Sequence, residues 1–120
     1  MTQAALATHL FIELYEVEPR LLDDVDFLRG VLHEAAAAAR CTILGTVDHK
    51  FEPQGASVVV LVAESHLSIH TWPEVGYAAV DIFTCGNALP RHGVEPILRA
   101  MKPGRHAVKE QARGTQVTPA

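Results

Sequence analysis

Runs of β-branched, aromatic and alternating residues predict five strands along this chain. They are His9–Tyr15, Thr42–Val47, Ser57–Ala63, Tyr77–Cys85 and His106–Gln111. Ser57–Ala63 is apolar on both of its faces, as is typical of a central strand. Tyr77–Cys85 alternates, so that Asp81 and Cys85 share one face and Val80 lies on the other.

Apolar residues that recur every three or four positions predict two helices. The longer one covers Leu21–Ala39, with three aspartates in its first turn, where the helix dipole favours negative charge. Its alanine run Ala35–Ala39 has a thin profile, which lets the helix lie close against a sheet. The shorter one covers Glu95–Lys102, since Pro96 suits a first turn and Gly104 follows the end.

The order strand, helix, three strands, helix and strand predicts an α+β fold. We expect a two-layer sandwich, in which a largely antiparallel sheet has its helices on one face. At 120 residues the chain has room for a single domain, residues 1–120, because one core usually holds about 100–150 residues. Since only 6% of the residues are aromatic, aliphatic side chains must fill the core. The tail Gly114–Ala120 is expected to be loose.

Charge and apolar content exclude several classes of partner. Lys and Arg number 10 against 14 Asp and Glu, so no basic stripe is available for phosphates and we expect no nucleic-acid partner. The uncharged run Ala56–Ala63 is far shorter than the ~18 apolar residues of a membrane span, and Met1–Ala7 lacks a basic region. Cys41 and Cys85 could form at most one disulfide, and nothing indicates a secreted scaffold that needs it. We therefore expect a cytoplasmic protein that makes no membrane contact and has a thiol available for chemistry.

Titratable residues concentrate in Glu64–Glu74, directly after the most apolar strand. Such a segment is typical either of a functional site or of an edge strand that passes into a solvated turn. His66 and His70 have the spacing of two metal ligands on a helix, but the β-branched context and Pro73 argue against a helix. A third ligand would have to come from scattered residues: Asp48, His49, Asp81 or Cys85. Ser65 lacks the G-x-S-x-G surroundings of a hydrolase nucleophile, although two nearby histidines keep a nucleophilic role open.

The string ESHLSIHTWPE, preceded by HKFEPQG and followed by GYAAVDIFTCG, resembles the small prokaryotic class of S-adenosylmethionine decarboxylases. These are self-processing, pyruvoyl-dependent enzymes of polyamine synthesis, and the likeness includes HLFIELY and LLDDVDFL near the start of the chain. It implies self-cleavage between Glu64 and Ser65, which gives a β chain of residues 1–64 and an α chain of residues 65–120 that stay associated. It also implies a dimer of these αβ units, with sites shared across the interface.

The resemblance implies the chemistry of the cut. The Ser65 hydroxyl attacks the carbonyl of Glu64 and converts the peptide bond into an ester, which then leaves by β-elimination. Hydrolysis of the resulting dehydroalanine releases ammonia and leaves a pyruvoyl group, the covalent cofactor derived from Ser65. His70 matches the family's base, and Ser57 matches a serine that guides processing. On a straight strand Ser65 and His70 would face opposite sides, so we predict a bend between them.

The same resemblance assigns the substrate side of the site. The pyruvoyl carbonyl condenses with the α-amine of S-adenosylmethionine and withdraws electrons as carbon dioxide leaves. Cys85 matches the donor that then returns a proton to the substrate carbon. Phe51 and Trp72 offer flat faces for an adenine, and Glu74 offers a carboxylate for ribose hydroxyls.

Two alternatives stay open at this point. Departures from the family pattern, such as Thr8 in place of a usual glycine and Val75 in place of a common tyrosine, leave ornithine or arginine as alternative substrates. The alternative from another class is an unprocessed domain that binds a metal ion through His66 and His70. The role of Glu13, in the first predicted strand, is also open.

Overall fold

The structure is a computed structural model that describes residues 5–117. Within these residues six strands form one sheet, in which every neighbouring pair is antiparallel. The strands are β1 (Ala7–Tyr15), β2 (Thr42–Lys50), β3 (Ala56–Ala63), β4 (Ser65–Trp72), β5 (Tyr77–Cys85) and β6 (Arg105–Arg113). Their order across the sheet is β2-β3-β4-β5-β1-β6. Helices pack on one face of it, so the predicted α+β sandwich is confirmed.

The helix layer differs from the prediction at one point. Its helices are α1 (Pro19–Leu22), α2 (Val25–Ala38) and α3 (Val94–Met101). The single helix predicted over Leu21–Ala39 is wrong at its start, because Asp24 caps α2 instead of lying inside it. The Asp24 backbone is extended, and its carboxylate accepts a hydrogen bond from the Phe27 amide at 3.0 Å. The turn between α1 and α2 thereby brings Asp23 against the chain that follows β2.

β4 is the element that the sequence analysis did not predict, and it lies at the centre of the sheet. Leu67 and Ile69 are fully buried on its helix-facing side, whereas His66 and His70 are only partly buried on the other side. The polar residues of that second face concealed the strand pattern. The alternative of an edge strand running into a solvated turn is wrong, because β3 and β5 pair with β4 on its two sides.

The two faces of the sheet have different surfaces. Between the sheet and the helices the core is aliphatic, and its largest fully buried side chains are Leu10, Ile12, Leu14, Leu22, Leu28, Leu32, Val58, Leu67, Ile69, Ile82, Ile97 and Met101. Burial of each such side chain stabilises the fold by about 1.5–3 kcal/mol. The helices leave the opposite face, here called the open face, uncovered within residues 5–117. Apolar side chains stand on it, since Val47 is 74% exposed and Leu61 is 55% exposed.

The described residues before β1 and after β6, residues 5–6 and 114–117, lie outside the sheet. Residues 114–117 lie in neither a helix nor a strand, while the rest of the tail predicted to be loose, residues 118–120, lies outside the described residues. Residues 1–4, which belong to the segment Met1–Ala7 considered above, also lie outside them. Among the helices of the described chain, none combines the length and apolar character needed to cross a membrane.

Candidate active site

Ser65 lies at the tight connection between the two central strands. β3 ends at Ala63 and β4 begins at Ser65, so Glu64 is the only residue between them. Ser65 is 8% exposed, and its hydroxyl donates a hydrogen bond to the carbonyl oxygen of Glu64. The hydroxyl is therefore held against the carbonyl group of the peptide bond that precedes it.

Cys85 joins this cluster from the end of β5. The register of β4 and β5 pairs His66 with Phe83, so the residues beyond that pair bring Cys85 alongside the connection. Its Sγ lies 3.8 Å from Ser65 Oγ and 3.6 Å from the Glu64 carbonyl oxygen. The Glu64 side chain is also close, with its Oε2 at 3.7 Å from the same sulfur. A hydroxyl, a thiol and a carboxyl group thus meet around one peptide bond.

A cavity of about 900 Å³ opens beside this cluster. Glu64, Phe83 and Cys85 line it, and Arg40 is the one cation among its described lining residues. The volume falls in the range of about 300–1,000 Å³ that is typical of pockets for small molecules. The cluster around Ser65 therefore has space for a substrate next to it.

The remaining predicted site residues form a second cluster at the other end of β3 and β4. Ser57 and His70 are directly opposed across these strands, and a hydrogen bond of 2.6 Å joins Ser57 Oγ to His70 Nδ1. Both residues line a cavity of about 320 Å³, together with Phe51, Trp72 and Glu74. The structure thus brings together all five of these predicted residues, but around their own cavity.

The predicted bend between Ser65 and His70 is wrong. β4 pairs with β3 from Ser65 to His70 and with β5 from His66 to Trp72, in both cases without a break in register, which keeps the strand extended. Five residues of strand separate Ser65 from His70, a distance of about 16 Å, and their odd separation puts them on opposite faces. Within one chain, His70 is therefore out of reach of Ser65.

The two histidines of β4 do not form a metal site. His66 and His70 are four residues apart on an extended strand, which separates them by about 13 Å. The His66 ring instead stacks on Phe83, with ring centroids 5.6 Å apart. No group of three or more His, Cys, Asp or Glu side chains that could hold a metal ion occurs between residues 5 and 117.

Comparison with known proteins gives this arrangement its context. The family model described as S-adenosylmethionine decarboxylase matches residues 8–114. The chain belongs to this family. The S-adenosylmethionine decarboxylase proenzyme of Caldanaerobacter subterraneus subsp. tengcongensis is 46% identical over 111 residues, which cover 92% of this chain and 90% of that protein. The proenzyme of Parasynechococcus marenigrum is 46% identical over 108 residues, covering 89% and 84%. The resemblance inferred from the sequence is confirmed.

A solved structure of an S-adenosylmethionine decarboxylase has the same fold. The crystal structure of the adenosylmethionine decarboxylase from Aquifex aeolicus vf5 superposes with a TM-score of 0.88 at 34% sequence identity. The match covers 98% of this chain and 98% of that one. Nearly the whole length of this family member, including both clusters, therefore has a counterpart of known fold.

The open face of the sheet in this family member also carries a network of polar side chains that the sequence analysis did not predict. His9 Nε2 lies 2.8 Å from Asp81 Oδ1, and the Ser68 hydroxyl donates to Asp81 Oδ2 at 3.2 Å. The Tyr77 hydroxyl donates to Glu13 at 2.7 Å, and burial, followed by this hydrogen bond, raises the pKa of Tyr77. The available signal was alternation, since all of these residues fall on one side of β1, β4 and β5.

Proposed function

We propose that this chain cuts itself between Glu64 and Ser65 and then decarboxylates S-adenosylmethionine by means of a pyruvoyl group. The observation that carries the proposal is the contact of the Ser65 hydroxyl with the Glu64 carbonyl oxygen, with the Cys85 thiol 3.8 Å from the same hydroxyl. The nucleophile, the bond to be cut and a proton donor thus stand together beside a cavity of about 900 Å³. Membership of the S-adenosylmethionine decarboxylase family supports the choice of substrate.

The cut proceeds in steps that the residues of this cluster support. Ser65 Oγ attacks the carbonyl carbon of Glu64, the bond from that carbon to the Ser65 nitrogen breaks, and an ester forms between the two residues. His70, which matches the base of the family, takes the Ser65 α-proton, the Glu64 carboxylate leaves, and dehydroalanine remains. Water then adds, ammonia departs, and Ser65 becomes a pyruvoyl group at the start of residues 65–120. The site fits this product, because a cavity of about 900 Å³, lined by Glu64 and Cys85, opens beside the Glu64–Ser65 bond.

After the cut, we assign the decarboxylation of the substrate to four side chains. When formed, the pyruvoyl group supplies a carbonyl that accepts electron density as the carboxylate of the substrate departs as carbon dioxide. Cys85 protonates the carbon that has lost carbon dioxide, because its thiol lies beside residue 65. Phe51 and Trp72 stack with the adenine, and Glu74 accepts hydrogen bonds from the ribose.

A dimer completes the site, because the chain alone keeps Ser65 and His70 about 16 Å apart. If two open faces stack about a two-fold axis that runs across the strands, β4 of one subunit runs opposite to β4 of the other. His70 of the partner subunit then lies over Cys85, which stands on the open face with its Sγ 3.8 Å from Ser65 Oγ. Exposed apolar residues on the open face, Leu61 and Val59 among them, supply surface for such contact. The two cavities join to form one cleft between subunits.

The free thiols support a cytoplasmic location for this dimer. Cys41 and Cys85 are both free in the structure, and both are half-buried. A protonated, reduced Cys85 is what the mechanism requires, and the cytosol keeps thiols reduced. We accordingly place the enzyme in the cytoplasm.

The reaction class and substrate have a direct test. We expect mass spectrometry of the purified protein to find residues 1–64 and residues 65–120 as separate fragments, the second with a ketone in place of its N-terminal amine. Carbon dioxide release should be seen with S-adenosylmethionine and not with ornithine or arginine. Release from one of those amino acids instead would reassign the substrate. An intact chain that releases no carbon dioxide from S-adenosylmethionine would contradict the proposed function.

The shared site has its own test, in which two inactive variants are produced together. Alone, neither Ser65→Ala nor His70→Ala protein should be cut. In a mixed dimer, the His70→Ala subunit keeps its Ser65 and receives His70 of the partner subunit, so that one of the two sites is complete. We expect mass spectrometry to find cut His70→Ala chains and an assay to find restored carbon dioxide release.

The control pairs His70→Ala with the double variant Ser65→Ala/His70→Ala, which leaves no complete site in any arrangement. That mixture should stay uncut. If His70→Ala chains stay uncut beside Ser65→Ala as well, the site does not form across the interface.

A further inference from the structure

The loop between β2 and β3, residues 51–55, is fastened to the helix layer by one carboxylate. Asp23 Oδ1 accepts a hydrogen bond from the Gly55 amide at 2.8 Å and pairs with Lys50 Nζ at 2.9 Å. Lys50 Nζ also donates to the Phe51 carbonyl at 2.8 Å. The Phe51 amide donates to the Gly55 carbonyl at 2.8 Å, which closes the base of the loop. A single oxygen atom of Asp23 therefore holds both ends of the loop that carries Phe51.

Leu22, the last residue of α1 and the residue before Asp23, holds a second part of the wall of the smaller cavity. Thr71, which precedes Trp72 in β4, is 7% exposed, and its hydroxyl donates to the Leu22 carbonyl at 2.6 Å. Its oxygen accepts a hydrogen bond from the Ala56 amide at 2.9 Å, so it also touches the end of the β2–β3 loop. Asp23 does not line the cavity of about 320 Å³ itself. It acts on the cavity indirectly, through its contact with Gly55, which lines the cavity.

The negative charge of the Asp23 carboxylate maintains its contacts with Lys50 and Gly55 at neutral pH. The hydrogen bond from Lys50, followed by the one from the Gly55 amide, holds the pKa of the Asp23 carboxyl below its ordinary value. Because the pKa is lower in the folded chain, the stabilisation is present above the ordinary carboxyl range and is lost as the pH falls through the lowered pKa. The carboxyl is partly exposed, and an exposed ion pair stabilises little by itself. Its importance is geometric, since it fixes a loop.

We propose that Asp23 is a positioning residue of the substrate cleft, which sets the place of the Phe51 ring relative to Trp72 and Glu74. The proposal rests on the function proposed above, in which this cleft takes the adenosyl group. A ring that stacks with adenine binds substrate and transition state alike, since adenine is remote from the carboxylate that leaves. Release of the loop should therefore raise KM and leave kcat unchanged.

Two substitutions of Asp23 should raise KM to different extents. Asp23→Ala removes both the Gly55 and the Lys50 contact, whereas Asp23→Asn keeps an oxygen for the Gly55 amide and loses the charge. We expect KM for S-adenosylmethionine to rise about tenfold in Asp23→Ala and less in Asp23→Asn, with cutting and kcat as in the wild type. Asp26→Asn is the matched control, because it removes the same charge from a neighbouring side chain that is 83% exposed, and it should leave KM unchanged. An unaltered KM in Asp23→Ala, or a loss confined to kcat, overturns the proposal.

Hydrogen exchange separates this proposal from the proposed function, because it needs no substrate. In Asp23→Ala the amides of residues 51–55 should exchange faster than in the wild type, while those of α2 keep their rate. If the wild-type protein releases no carbon dioxide from S-adenosylmethionine, the proposed function fails, and faster exchange in the loop still supports its fastening by Asp23. Unchanged exchange in the loop overturns that fastening whatever the activity.

Discussion

Purified Ser65→Ala protein should remain a single uncut chain of 120 residues and release no carbon dioxide from S-adenosylmethionine. Alanine has no oxygen to attack the Glu64 carbonyl and no leaving group on its β-carbon, so neither the ester nor the ketone can form. Loss of one oxygen atom from a side chain at the start of β4 leaves the packing of Leu67 and Ile69 intact, and the fold should persist. Intact-mass spectrometry measures the cut, and carbon dioxide release measures the activity.

Ser68→Ala is the matched control for this variant. Ser68 lies on the same strand, is 6% exposed and donates to Asp81 at 3.2 Å, so the substitution removes a buried hydroxyl without touching the Glu64–Ser65 bond. Its loss should destabilise the fold by about 1 kcal/mol and leave the cut complete. Cleavage at residue 64 in Ser65→Ala protein, or decarboxylation by its uncut chain, would show that Ser65 is not the source of the electrophile.

Cys85→Ala should be cut like the wild type and then decarboxylate at least about 100-fold more slowly, the usual loss for a proton donor. The geometry explains why this substitution should slow decarboxylation without affecting the cut. Sγ lies 3.8 Å from Ser65 Oγ, where a proton can reach a carbon bound to residue 65, whereas the base assigned to the cut is His70. Fragment masses should therefore match those of the wild type, while kcat measured at saturating substrate falls.

Cys41→Ala tests whether loss of any thiol has this effect. Cys41 is half-buried after α2, with Sγ 3.8 Å from the Ala39 carbonyl oxygen, and burial raises the pKa of its thiol. This variant should be cut and should turn over substrate at the wild-type rate. Cys85→Ser keeps an O–H donor that is a weaker acid, so its rate should fall between those of Cys85→Ala and the wild type. Full turnover by Cys85→Ala would remove the thiol from the mechanism.

Local sequence pattern was sufficient for the layers of this fold. Alternation in Tyr77–Cys85 placed Val80 and Ile82 toward the core, and both are buried in the structure. The position of β4 was harder to infer, because the connection at Ala63 and Glu64 contains none of the Gly, Asn or Asp pairs that mark a tight hairpin. Without that signal, a strand whose one face is polar has the composition of a surface loop.

The arrangement of the site depended on information that a single sequence does not contain. Family resemblance named Ser65, His70 and Cys85, but only the register of three strands shows that Cys85 joins Ser65 while His70 joins Ser57. Pairing register is set by long-range packing and not by local residue type. The expectation of a bend failed for this reason, since it required one chain to do what the proposed dimer does with two.

The order of the strands decides how the two proposed fragments are held together. Residues 1–64 contain β1, β2 and β3, residues 65–120 contain β4, β5 and β6, and the order β2-β3-β4-β5-β1-β6 interleaves them. β1 lies between β5 and β6, so the fragments share backbone ladders at three places in the sheet. After the cut, the hydrogen bonds between these strands therefore still hold the two fragments together in the native state. Once such a molecule melts, however, no covalent tether returns one half to the other, and recovery becomes a bimolecular encounter that slows with dilution.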